Sequence, residues 1–283
     1  MIPLFITWNP APEMFDIGGF AIRWYGLLFA AGFFFGYFIM QKIFKIENIP
    51  AKVLDRLTIY MIIGTVVGAR LGHCLFYEPD YYFAHPFQIL NIRQGGLASH
   101  GAAIGILLSL WIFSIFQKRG YAWIVDRIVI VVALSGFFIR TGNLMNSEIV
   151  GSPALVPWAF IFKQVSISQY VFAHLSGNLQ QFYNHYGNVP RHPAQIYEAL
   201  AYLFIFILLA WLYFKKNAGY KPFLLTGLFM VLVFGFRFFI EFYKDIQVDF
   251  EQTMTLNMGQ WLSIPVIIIG IVLIIFSLKK TKS

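Results

Sequence analysis

The chain has 283 residues, of which 59% are hydrophobic, 19% aromatic and only 12% charged, with a mean hydropathy of +0.68. Soluble domains carry about 25% charged residues, so the composition excludes a soluble globular protein and indicates an all-α integral membrane protein, a single transmembrane domain over residues 1–283. The net charge of +8 calls for no nucleic acid partner, because most of the excess lies in short loops between apolar runs.

In chain order, the segment Met1 to Gly18 holds no lysine or arginine. The first apolar run therefore lacks the basic flank of a cleaved signal peptide and is expected to stay as a membrane helix. With about 20 apolar residues per crossing, seven spans are expected at 18–41, 53–77, 97–116, 124–145, 194–214, 222–243 and 258–278. Between the second and third, residues 79–95 carry Tyr81, Tyr82, Phe83 and Phe87 and read as an arm lying in the membrane interface. Between the fourth and fifth, residues 146–191 are rich in Ser, Asn, Gln and Tyr and are interrupted by Pro153, Pro157 and Pro190. That is too long for a bare connection and reads as a small extracytoplasmic head. The sequence contains no visible 20–50-residue repeat.

Lysine and arginine placement sets the orientation. One set of loops holds Lys42, Lys45, Lys52, Arg56, Lys118, Arg119, Arg127, Lys215, Lys216, Lys221, Lys279, Lys280 and Lys282, thirteen residues, against Arg93, Lys163, Arg191 and Lys244, four residues, on the other. The thirteen mark the cytoplasm, so the N-terminus is expected outside and the C-terminus inside. Arg23, Arg70, Arg140 and Arg237 fall in or at the ends of the apolar runs, all toward the outer side. An arginine near the bilayer centre costs about 2.5–3.5 kcal/mol on insertion scales, so it usually has a job or a buried partner. Four near one face suggest a pocket for an anion, and a phospholipid phosphate is the commonest anion at that depth.

The densest motif is Arg140-Thr-Gly-Asn-Leu-Met-Asn-Ser-Glu-Ile-Val-Gly151. Arg140, Asn143, Asn146 and Glu148 lie within nine residues; guanidinium forks and amides suit phosphate and glycerol oxygens. The competing account is a helix end whose Arg and Asn satisfy terminal carbonyls. At the start of the third span, Gly95-Gly-Leu-Ala-Ser-His100-Gly-Ala-Ala-Ile-Gly105 sets a histidine among small residues. It is either a base near neutral pH or a structural histidine bonded to a neighbouring helix. In Arg191-His-Pro-Ala-Gln-Ile-Tyr-Glu198, Gln195, Tyr197 and Glu198 are candidates to pair the buried arginines. Arg237 and Glu241 are spaced for an i,i+4 ion pair, and Arg70, in Gly68-Ala-Arg-Leu-Gly72, has a similar account through some carboxylate. Arg23-Trp-Tyr25 could anchor at the interface. The lone Cys74 excludes an internal disulfide, and the six histidines have no metal-ligand spacing, so neither a metal nor another cofactor is expected.

Along nearly its whole length the sequence resembles the prolipoprotein diacylglyceryl transferase family. The resemblance runs through Arg23-Trp-Tyr-Gly26, Gly68-Ala-Arg-Leu-Gly72, the His100-Gly element, Arg191 to Glu198 and Phe236-Arg-Phe-Phe-Ile-Glu-Phe242. It is most specific in the family signature, where Arg140, Gly142, Asn143, Asn146, Glu148 and Gly151 match in order, with Ile139 and Leu144 departing from the usual Gly and Phe. The resemblance implies an enzyme of the bacterial cytoplasmic membrane. It would move the sn-1,2-diacylglyceryl group of phosphatidylglycerol to the lipobox cysteine of a prolipoprotein signal peptide, with release of glycerol phosphate. It further implies Arg140 and Arg237 on the phosphate and His100 on the thiol proton, with substrate binding by Arg70, Tyr25, Asn143, Asn146, Glu148, Gly151 and Glu241. A transporter or flippase for an anionic lipid or metabolite would use the same arginines but usually shows inverted repeats and broken helices.

Overall fold

The computed structural model describes residues 5–91, 96–245, 251 and 254–280. The expected end of the interfacial arm (92–95, with Arg93), Gly95 of the His100 motif, and Lys282 lie outside the described residues. In chain order the elements are β1 (Ile6–Trp8), β2 (Glu13–Ile17), β3 (Phe20–Arg23), α1 (Trp24–Ile46), α2 (Ala51–Phe76), α3 (Pro79–Ala84), α4 (Ser99–Phe116), α5 (Tyr121–Met145), β4 (Phe160–Phe162), α6 (Gln169–Ala173), α7 (Gly177–Tyr186), α8 (Ala194–Lys216), α9 (Leu224–Ile240) and α10 (Met258–Lys280). Among the described residues seven helices, α1, α2, α4, α5, α8, α9 and α10, are long and apolar enough to cross a membrane. The protein is therefore an all-α multi-pass membrane protein. Apolar side chains such as Trp111, Phe116, Phe204 and Val272 point outward from these helices, as expected where the surrounding solvent is hydrocarbon.

The first span begins later than the hydropathy suggests. Residues 18–23 belong to the β2–β3 hairpin, turned by Gly18 and Gly19 at positive φ, with the Gly19 N–H donating to Asp16 Oδ1 at 2.7 Å. Arg23 thus ends a strand, 3.8 Å from Glu13 with both side chains exposed, and precedes the first membrane-length helix instead of lying within it.

The chain forms two compact units, 1–36 with 129–283, and 37–128. In the first, α1 meets α5 where Gly32 abuts Ser135 and Phe35 stacks on Phe138. Gly136 of α5 admits the Tyr202 ring of α8, and Gly227 of α9 lies against Gly270 of α10. Small residues let helix backbones approach where lipid supplies no hydrophobic drive. A second, smaller core joins the parallel β1–β4 pair to this bundle: Val150, Phe160 and Phe162 pack with Trp8, Leu144 and Ile196, and Trp8 Nε1 donates to Leu144 O at 2.9 Å.

The second unit is organised by α2 and α4. Gly64, Gly68 and Gly72 of α2 face Gly105, Gly101 and Ser109 of α4 so closely that a Cβ on Gly72 would lie 2.6 Å from the Gly101 Cα. Arg127 is the other surprise of this unit. The charge count treats it as a free loop cation, yet it is buried, bonded through Nε to Glu47 Oε1 at 2.8 Å and stacked on Trp123. It lies in the first turns of α5, where Glu47 and the Trp123 carbonyl satisfy the guanidinium.

Candidate active site

The signature motif occupies the end of α5 and the turn after it. The helix stops at Met145, so Arg140 and Asn143 share its last turns while Asn146 lies in the turn that follows. Ser147 and Ile149 both adopt left-handed φ, 54° and 55°. For a β-branched residue such as Ile149 this conformation is strained, and such strain persists only where the surroundings impose it. Here it folds Glu148 back over the helix end, where its carboxylate takes Asn146 Nδ2 at 2.7 Å and Asn143 Nδ2 at 3.3 Å. Gln195 of α8 fixes the same turn by donating to Glu148 O at 2.6 Å.

Arg140 reaches across to α8. One of its nitrogens, Nη2, is 3.3 Å from Glu198 Oε1; the other, Nη1, donates to Asn143 Oδ1 at 3.3 Å, and Tyr202 stands within electrostatic reach of the guanidinium. Tyr25, at the start of α1, stands within electrostatic reach of both Arg140 and Glu148. Its ring occupies the space left by Gly142, where a Cβ would approach Tyr25 Cδ2 to 2.9 Å.

α9 supplies the other cation. Arg237 Nε is 3.8 Å from Glu241 Oε1, a long contact, and its side chain keeps 34% of its exposure. Lys244, one turn beyond, is engaged more tightly: Nζ lies 2.9 Å from Glu241 Oε1 and 3.1 Å from Glu198 Oε1, with 3% of its side chain exposed. Asn257 Nδ2 donates to the other Glu241 oxygen at 3.1 Å, and Gly259 lies against that carboxyl.

Lys244 is held in place through its backbone. Gly151 pairs with it in an antiparallel bridge, Ser152 N donates to Tyr243 O at 2.8 Å, and Gly151 N donates to His192 O at 3.0 Å. Gly151 admits no side chain here, since a Cβ would fall 2.8 Å from Tyr243 O. The last glycine of the signature thus ties three chain segments together by backbone pairing. Beside it His192 Nδ1 is 3.1 Å from the Tyr197 hydroxyl, and burial holds this imidazole below its ordinary pKa.

Of the expected α8 partners, Glu198 meets Arg140, whereas Gln195 bonds the signature turn and Tyr197 bonds His192 and Trp158. Lys244, Tyr202 and Asn257 are the members that motif reading misses. A signal for Lys244 is nonetheless present, since it follows Glu241 at i,i+3 as Arg237 precedes it at i,i+4.

Arg70 and His100 belong to the other unit. Arg70 is 3% exposed, and its described hydrogen bonds go to main-chain oxygens. Nη2 donates to Gln88 O (2.6 Å) and Asn91 O (3.1 Å), Nε to Ile89 O (2.8 Å) and Nη1 to Gly96 O (3.2 Å), while its guanidinium lies over the Tyr82 ring. Gly96, at φ +76°, turns the chain against this guanidinium. His100 is the second residue of α4, exposed, and bonded to none of the described residues. Its neighbour Gly101 is locked against Gly68 and Gly72, which fixes the rotation of α4 and hence the face that carries the imidazole.

The sequence model of the prolipoprotein diacylglyceryl transferase family matches residues 12–276. The phosphatidylglycerol–prolipoprotein diacylglyceryl transferase of Chloroherpeton thalassium is 43% identical over 98% of this chain and 96% of its own length. Its counterpart from Tolumonas auensis is 44% identical over 97% and 98%, and that of Bacteroides fragilis 42% identical over 98% and 97%. A match of this extent takes in residues 146–191 and the membrane helices as well as the signature turn, and the chain belongs to the prolipoprotein diacylglyceryl transferase family.

Proposed function

We propose that this protein transfers the sn-1,2-diacylglyceryl group of phosphatidylglycerol to the cysteine thiol of a prolipoprotein lipobox. The cysteine sulfur attacks the glyceryl carbon that bears the phosphate. A C–S bond forms, the C–O bond breaks, and glycerol 1-phosphate leaves with the electron pair. The thiol proton passes to His100, whose imidazole is exposed and unbonded among the described residues.

The observation that carries this reading is the gathering of two guanidinium groups into one ion-pair set, Arg140 beside Glu198 and Arg237 beside Glu241, with Arg237 held only by a 3.8 Å contact and 34% of its side chain exposed. The leaving phosphate gains negative charge as the C–O bond breaks, and preorganised cations are the largest available source of stabilisation for it. A free thiol near pKa 8.5 is already a few per cent thiolate at pH 7, so the base has the smaller task. Tyr25, Asn143, Asn146, Glu148 and Glu241 surround the arginines and bind the lipid headgroup. Gly151 and Arg70 contribute by shape, the first by backbone pairing and the second by holding the main chain at Gln88, Ile89, Asn91 and Gly96.

In orientation, the thirteen-to-four charge asymmetry supports a bacterial inner-membrane protein with its N-terminus outside, its C-terminus in the cytoplasm and its site on the extracytoplasmic side. Incubation of the purified protein with phosphatidylglycerol and a lipobox peptide tests the activity. The expected products are diacylglyceryl-thioether peptide and glycerol phosphate in equal amounts. Lipid binding without either product would favour an anionic-lipid transporter instead.

A further inference from the structure

The loop count places Lys244 among the outer basic residues, but in the fold it is a buried ammonium shared by two carboxylates. Five groups are joined here by ion-pair contacts: the cations Arg140, Arg237 and Lys244, and the carboxylates Glu198 and Glu241. Three cations against two carboxylates leave a surplus of one positive charge. Glu148 is held apart from this set by the amides of Asn143 and Asn146.

We propose that Lys244 is a positioning residue that supplies this surplus, keeping Arg140 and Arg237 open to the phosphate of the substrate. The inference rests on the reading of the site given above. Both Lys244 contacts, at 2.9 and 3.1 Å, are shorter than the arginine contacts to the same two oxygens, at 3.8 and 3.3 Å. A compact ammonium with three donors serves two carboxylates at once, which a planar fork does less well. Without it, two arginines would face two carboxylates, and each fork could close on its own neighbour in the favoured bidentate geometry.

Glu198 makes that closure favourable. It is fully buried, and its Oε2 has no hydrogen-bond partner among the described residues, so it is short of donors even with Lys244 present. The Lys244 side chain is itself buried and its backbone is pinned by Gly151, so it acts through the arginines and does not touch substrate.

The test compares wild type, Lys244→Met and Lys244→Met/Glu198→Gln, all as full-length purified protein. Two quantities are measured: kcat/KM on phosphatidylglycerol with one lipobox peptide, and calorimetric binding of glycerol 1-phosphate. Lys244→Met balances the charges and is expected to weaken glycerol phosphate binding and kcat/KM in parallel, each by about tenfold or more. The double variant restores a surplus of one and is expected to recover both to within about threefold of wild type. A double variant no better than the single one, or a fall in kcat/KM with phosphate binding intact, would overturn the proposal. If Lys244→Met does not survive purification, the double variant against wild type decides: near-normal phosphate binding supports the proposal, and lost binding sinks it. A wild-type protein inactive on phosphatidylglycerol would defeat the proposed reaction, while the glycerol phosphate comparison would still decide the role of Lys244.

Discussion

Gly142 and Tyr25 fit against one another at the helix end: the aromatic ring occupies the volume that a methyl group on Gly142 would need, 2.9 Å from Cδ2. The glycine of the signature is thus a seat for a residue 117 positions earlier in the chain. Gly142→Ala is expected to displace the ring and to lower transfer activity as much as Tyr25→Ala does. The double variant should then be little worse than either single one, because coupled neighbours are non-additive. Fully additive losses in the double-variant cycle would separate the two residues.

Replacement of Arg140 by Lys keeps the charge but loses the planar fork. Activity should fall by at least about tenfold, or ~1.4 kcal/mol, with the protein still inserted in the membrane. Arg237→Ala, which removes the charge, should be worse. Normal turnover in both would reduce the arginines to ion-pair partners of Glu198 and Glu241.

A base at His100 makes a statement about pH. His100→Gln should cost about 10²–10⁴-fold at pH 7, and part of that loss should return toward pH 9, where more of the peptide cysteine is already thiolate. The measurement is the pH–rate profile of the variant against wild type on one lipobox peptide. Parallel profiles would exclude the base role.

Burial lowers the pKa of His192 below the usual 6.5, so the folded state prefers the neutral ring. As pH falls through 6.5, the unfolded chain takes up this proton before the folded one, and stability is lost until the folded-state pKa is passed. Above that window the group contributes its full stabilisation. Wild type should therefore lose more melting temperature between pH 7.5 and pH 5 than His192→Gln does. Equal losses would assign the acid sensitivity elsewhere.

The charge asymmetry predicts a cytoplasmic C-terminus. A reporter fused there should be active only if it works in the cytoplasm, and activity confined to the outside would reverse the topology.

Hydropathy alone locates all seven crossings to within a few residues, because a helix surrounded by lipid must be apolar on nearly every face. It misplaces the start of the first one, since the β2–β3 hairpin is also apolar and only Gly18-Gly19 marks its turn. The signature motif is legible because its spacing matches one helix end and one turn. Arg70 and Arg127 are not, because a buried arginine reads alike whether a phosphate, a carboxylate or a carbonyl satisfies it. Lys244 is hidden for a related reason: Glu198, one of its two carboxylates, lies 46 positions away on another helix.

Arg70 has one more consequence. The oxygens it gathers from Gln88, Ile89, Asn91 and Gly96 all belong to the main chain. Any amino acid supplies such an oxygen, so the hold of Arg70 on Gln88, Ile89 and Asn91 does not depend on the side chains at these three positions. Residues such as Phe87 and Leu90, which project 88% and 80% exposed, can be exchanged to suit a bilayer of different thickness or headgroup without refolding what bears them.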